Sequence, residues 1–137
     1  MSASVRSIDY FTTTVHDSSE AAYRLLGQLA TSGINLLAFN AIPVGLQATQ
    51  LVLFPDNAEL LAEIAREHRF DLAGPERALL IQGDDELGTL SRLHERLAAA
   101  GTHPYASSGV TDGRGGFGYV VYLRKEEYQK AAAALGL

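Results

Sequence analysis

Slid against itself by 68 residues, the 137-residue chain matches itself without a gap, and this internal repeat limits the available folds more than any other feature. Asp17 falls on Asp85, Arg24 on Arg92, Leu25 on Leu93, Leu29 on Leu97, Ala30 on Ala98 and Gly33 on Gly101. Further on, Ala38 falls on Ala106, Gly45 on Gly113, Val52 on Val120, Glu59 on Glu127 and Ala65 on Ala133. These eleven identities compare with roughly four expected by chance from average residue usage. Two helices of similar length would share periodicity alone, whereas here cap and turn spacing agree as well.

The elements follow the same repeat. Ile8–Val15 is β-branched and aromatic, as a strand requires. Asp17 opens a helical pattern through Ala22, Leu25, Leu26, Leu29 and Ala30, closed by Gly33. Ile34–Ile42 and Leu46–Phe54 form an antiparallel pair around Pro43-Val44-Gly45. Asp56 heads a second helix with Leu60, Leu61, Ile64, Ala65 and His68 on one side. After the turn-like Asp71–Glu76, a strand near Ala78 restarts the order. Asp85 precedes a helix carrying Leu87, Leu90, Leu93, Leu97 and Ala100 on its apolar face, closed by Gly101. Tyr105–Val110 and Tyr119–Leu123 flank a glycine-rich turn, and Glu126–Leu135 is helical. The expectation is an α+β chain of two βαββα(β) modules, residues 1–74 and 75–137, each an antiparallel sheet with helices on one face. The rival is a single domain whose helices mimic a repeat. The chain stops before a final strand of the second module. Residues 4–8, the strand near Ala78 or a second subunit must cover that edge.

With 47% hydrophobic residues the chain can build a packed core. It has no cysteine, which removes disulfides, iron–sulfur clusters, thiolate zinc and a cysteine nucleophile, and points to a reducing compartment, the cytoplasm. No apolar run approaches the roughly 20 residues that span a bilayer, and the opening residues lack a secretory apolar stretch. A net charge of −5 gives no field that would gather a phosphate backbone or an anionic lipid surface, so neither nucleic acid nor a membrane is an expected partner.

Leu80–Leu90, with Asp85-Glu86-Leu87-Gly88 at its centre, resembles the strand, Asp-x-Pro-Gly loop and helix start of the ACT domain, with Leu87 in place of the proline. Gly33-Ile34-Asn35-Leu36 resembles the segment that leads that family from its first helix into its second strand. The resemblance spans nearly the whole chain. It implies tandem ferredoxin-like modules that sense a small molecule, most often an amino acid, where modules meet, and that regulate rather than catalyse. A glycine at a helix N-terminus lets a carboxylate approach free N–H groups, and the resemblance assigns Gly88 that role. Glu86 and Leu87 complete the loop, Asp85 is the counterion for an α-amino group, and Asn35 is a further polar contact. The first module carries Glu20 where the glycine would be, so Asp17 reads there as an N-cap in a variant capping box as well as a ligand candidate. Asp56 and Glu59 repeat that spacing.

Gly113–Gly118 satisfies Gly-x-Gly-x-x-Gly, but the glycines lead into a strand rather than a helix, and too few residues follow for a kinase. A hairpin tip is the plainer reading, a lid over a ligand the sharper one. His16, His68, His94 and His103 show no metal-site spacing, and Asp84-Asp85-Glu86 suits a helix start. No hydroxyl among Thr12–Thr14 or Ser107-Ser108 is tied to a base. The expected function is non-catalytic amino-acid binding with no cofactor and no metal, in a homodimer. The alternatives are an oligomerisation module without ligand, suggested by the apolar Leu51–Phe54 strand, and a small enzyme of ferredoxin-like fold.

Overall fold

The computed structural model describes residues 3–16 and 19–137. The elements are β1 (Ala3–His16), α1 (Ser19–Thr31), β2 (Leu36–Pro43), β3 (Ala48–Pro55), α2 (Ala58–His68), β4 (Ala73–Asp84), α3 (Thr89–Ala99), β5 (Ala106–Thr111), β6 (Gly116–Tyr122), a 3-10 turn (Lys125–Glu127) and α4 (Tyr128–Ala134). The α+β class and antiparallel strand pairing match expectation. Among the described residues no helix is long and apolar enough to cross a membrane.

The chain forms two compact units, Asp9–Glu76 on the one hand and residues up to Ile8 with Arg77–Leu137 on the other. Strands β1 and β4 are therefore each divided between the units. In the unit 9–76 the strand order is β2-β3-β1-β4. Phe11 pairs with Leu53 and Phe39 with the same Leu53, which puts all three on one face of the sheet. That face packs on α1 and α2: Leu25, Leu29, Leu61 and Ile64 close over Phe11, Leu51 and Leu53. Its β4 segment, 73–76, lies beside β1, where the Tyr10 hydroxyl donates to Glu76 at 2.9 Å. A Cβ at Gly74 would stand 2.8 Å from the Tyr10 carbonyl oxygen, so this close approach admits only glycine.

The other unit repeats the plan with the order β5-β6-β4-β1. Leu79, Ile81, Tyr119 and Val121 meet Leu93 and Leu97 of α3 and Tyr128, Ala131 and Ala132 of α4. The strand missing from the end of this half is supplied by residues 3–8. Ala3 and Val5 pack against this core, and the Ser4 hydroxyl donates to the Gln82 carbonyl.

Two details depart from expectation. Asn57, not Asp56, caps α2, accepting the Leu60 N–H at 3.0 Å. Asp56 instead accepts the Asn35 N–H at 3.2 Å, and its own N–H donates to the Asn35 carbonyl. The expected cap at Asp17 lies outside the described residues. The last helix also begins later than Glu126, because Lys125–Glu127 winds as a 3-10 turn.

Candidate functional site

Between β4 and α3 the chain makes a tight loop. Gly88 holds φ +84, a conformation that side-chain-bearing residues rarely adopt, and α3 starts only at Thr89. The helix thus begins later than Leu87, which lies outside it and is fully exposed rather than on its apolar face. Both the N–H and the hydroxyl of Thr89 donate to the Glu86 carbonyl, at 3.2 and 2.9 Å. Gly88 is the N-cap and brings no side chain to the helix mouth.

Arg92 folds back over this mouth. Its Nη1 donates to the Leu87 carbonyl at 3.3 Å, its Nη2 donates to the Thr89 hydroxyl at 3.3 Å, and the same Nη2 lies 3.6 Å from Glu86 Oε2. The guanidinium holds the loop in shape and sets a cation beside the helix N-terminus, where an anion is already favoured. In the repeat-related position Arg24 pairs with Glu20 of its own helix, at 2.9 Å.

The facing wall is the β5–β6 hairpin. Asp112 Oδ1 accepts the N–H groups of Arg114 (2.6 Å) and Gly116 (3.0 Å) across the glycine-rich tip. These two bonds hold the Asp112 carboxyl below its ordinary range. Lower down, Gly109 pairs with Tyr119, and a Cβ at Gly109 would meet the tyrosine ring at 3.0 Å. Glycine in this strand makes room for the ring. The tip joins the loop directly, because the Asp85 N–H donates to the Gly115 carbonyl at 2.8 Å. Gly113–Gly118 is thus a braced hairpin leading into β6, the plainer of the two readings.

Loop and hairpin enclose a cleft of about 570 Å³, within the range of about 300–1,000 Å³ found for small-molecule sites. Of the residues expected to bind ligand, Asp85, Glu86, Leu87 and Gly88 all line it. Asn35 does not; it lies in the unit 9–76, with its backbone bonded to Asp56. Asp17 lies outside the described residues. Sequence reasoning missed the hairpin wall of Gly109, Val110, Thr111, Phe117 and Gly118. Glycines recurring inside strands were the signal that something approaches them closely. Chemically, the cleft offers the carboxylates of Asp85 and Glu86, the start of a helix with no side-chain cap, and the apolar Leu90, Val110 and Phe117.

No protein-family model matches the chain, and no curated protein matches it. Solved structures do share its fold. The chain is similar to protein BT0572 from Bacteroides thetaiotaomicron, with a TM-score of 0.82 at 14% identity over 96% of this chain and 88% of that one. It is also similar to the ligand-free regulatory subunit of aspartate kinase from Thermus thermophilus, with a TM-score of 0.64 at 14% identity over 98% and 95% of the two chains. The regulatory subunit of aspartate kinase from Thermus flavus gives a TM-score of 0.56 at 14% identity over the same shares. At these identities the likeness is one of fold.

Proposed function

We propose that the protein is a non-catalytic regulatory protein that binds an amino acid through one of two ACT-like, ferredoxin-like modules. The halves 1–74 and 75–137 supply one module each, apart from residues 3–8 and 75–76, which each unit takes from the other half. The cleft between the β4–α3 loop and the β5–β6 hairpin carries this reading. A ligand carboxylate would meet the first-turn N–H groups past Gly88 and the Arg92 guanidinium. Its ammonium would pair with Asp85, with Glu86 as a second acceptor, and its side chain would lie against Leu90 and Phe117. On this reading the protein is a cytoplasmic homodimer without cofactor, and Asn35, which does not line this cleft, is left out of the contacts. The two aspartate kinase regulatory subunits that share the fold support a regulatory role.

The experiment is a thermal-shift screen of the twenty amino acids, since a ligand that binds only the folded state raises its stability with concentration. One amino acid is expected to stabilise the wild type and to lose its effect in Asp85→Asn. A flat response across the panel discards the reading.

A second reading, self-association without ligand, finds no support in Leu51–Phe54, which is buried in β3 between β2 and β1, and is favoured instead by β2. It is the last strand of its unit's sheet, and Phe39, Ile42 and the neighbouring Leu46 are exposed. Sedimentation at two concentrations with no ligand present tests it: a concentration-independent monomer excludes it.

A further inference from the structure

We propose that His94 and Tyr119 are positioning residues that make the hairpin wall of the cleft sensitive to protons. Tyr119, on β6, is 4% exposed, and its hydroxyl is hydrogen-bonded to Nε2 of His94 on α3. His94 is an exposed residue, so one end of the pair is buried and the other reaches water. The Tyr119 ring stands where a Cβ of Gly109 would point, and Gly109 lines the cleft. Leu90, one helical turn before His94, lines it as well. The consequence for ligand affinity rests on the amino-acid reading, whereas the brace itself does not.

The unit 9–76 shows that the fold does not require this pair. A shift of 68 residues carries His94 onto Leu26, Tyr119 onto Leu51 and Gly109 onto Ala41. Leu51 is fully buried, and Leu26 packs against the same core. Ala41 pairs with Leu51 as Gly109 pairs with Tyr119. Two leucines and an alanine thus fill the place that a histidine, a tyrosine and a glycine fill in the unit with residues 77–137. The three differences fit one another. The tyrosine ring takes the space that the missing Cβ leaves, and its hydroxyl takes the partner that the histidine supplies.

A hydroxyl on so buried a residue is satisfied by donating its proton, and a neutral imidazole accepts it at Nε2 while Nδ1–H is met by water. When His94 takes up a proton, both ring nitrogens become donors. The bond then has to reverse, and the tyrosine proton is left without its acceptor, which costs free energy at a buried site. The ring is held less firmly, and so are Gly109, packed on it, and Val110 and Thr111, its neighbours in the wall. Other charged groups surround the pair. On α3, Arg92 is bonded to the Leu87 carbonyl and the Thr89 hydroxyl, and Glu95 and Arg96 are exposed. β4 carries Asp84 at its end and Arg77, which lies over the Tyr128 ring of α4. β5 carries no titratable side chain, β6 adds Tyr122, and α4 adds the exposed Lys130. Between about pH 5 and 8, imidazole is the side chain that changes charge.

The test follows the backbone amides of the full chain by NMR over that window, from about pH 5 to 8, with no ligand present. In the wild type the Gly109, Val110 and Thr111 amides are expected to shift with the same midpoint as the His94 ring resonances. In Tyr119→Phe, which keeps the ring and loses the hydroxyl, His94 should still titrate while those amides stay still. In His94→Gln, which keeps a partner for the hydroxyl but takes up no proton, the transition should vanish. Should Tyr119→Phe fail to fold, Tyr119→Leu, the residue at the matching position of the other unit, takes its place. Amides at 109–111 that stay still in the wild type would overturn the proposal. So would amides that follow His94 equally in the Tyr119 variant, since the imidazole charge would then act directly, or a transition that persists in His94→Gln. A flat amino-acid screen leaves these results untouched, because no ligand enters them. An amino acid that does bind should bind more weakly at the acid end of the window in the wild type alone, and an equal loss in Tyr119→Phe would overturn the link to affinity.

Discussion

The backbone N–H of Asp85 donates to the carbonyl of Gly115 at 2.8 Å, and this one bond ties the β4–α3 loop to the tip of the β5–β6 hairpin. Gly115 can offer its carbonyl there because it holds φ +92. Nothing lies within 4 Å of the place its Cβ would occupy, so Gly115→Ala meets no clash and carries only the conformational cost. That cost is about 1 kcal/mol. Urea denaturation should show a loss of this size, and hydrogen exchange at the Asp85 amide should quicken. Unchanged exchange at Asp85 would mean that the bond does not brace the loop.

Acid should loosen the same hairpin before it unfolds the core. The Asp112 carboxyl is held below its ordinary value of 3.8 by the N–H groups of Arg114 and Gly116. Because the folded value is the depressed one, the contribution is complete above the unfolded value and disappears as pH falls through the folded value. The Arg114 and Gly116 amide resonances should therefore move together below about pH 4. In Asp112→Asn they should stay still over that window. Resonances that titrate in the variant as well would assign the change to another group.

The helix caps show where the sequence was legible and where it was not. Asp56 and Glu59 have capping-box spacing, yet Asn57 is the cap, because Asp56 turns to the backbone of Asn35, which is 21 residues earlier in the chain. Such a competitor is invisible to a local pattern. Asn57→Ala should cost about 1 kcal/mol and speed exchange at Leu60. Asp56→Ala should leave Leu60 protected and expose the Asn35 amide to exchange. Reversed effects would restore Asp56 as the cap.

The same contrast runs through the site and the fold. Asp85–Gly88 was readable because a loop's chemistry lies in consecutive residues, and the structure lines the cleft with all four. Gly109, Val110 and Phe117 were not, since β6 reaches the cleft by pairing with β4, Phe117 with Gly83 34 positions earlier, and β5 follows by pairing with β6. Core periodicity located Leu93 and Leu97 correctly, while Leu87 fits the same spacing and is exposed, because the positive φ of Gly88 delays the helix. The strand covering the open edge of the second half comes from residues 3–8, a choice among three that only tertiary packing makes.

The repeat itself slips by one residue in its last helix. Through the strands a shift of 68 superposes the buried residues Leu51 and Leu53 on Tyr119 and Val121. In α2 the buried residues are Leu61, Ile64 and Ala65, and in α4 they are Tyr128, Ala131 and Ala132, a shift of 67. The identity of Ala65 with Ala133 is thus coincidental, since Ala133 is exposed and Ala132 takes the buried role. The 3-10 turn at Lys125–Glu127, which has no counterpart before α2, is where the spacing differs. Ala132→Leu should overpack the core at a cost of about 1–3 kcal/mol. Ala133→Leu should change stability by no more than about 0.5 kcal/mol. Thermal denaturation of the two variants decides the register, and a larger loss for Ala133→Leu would return the shift to 68.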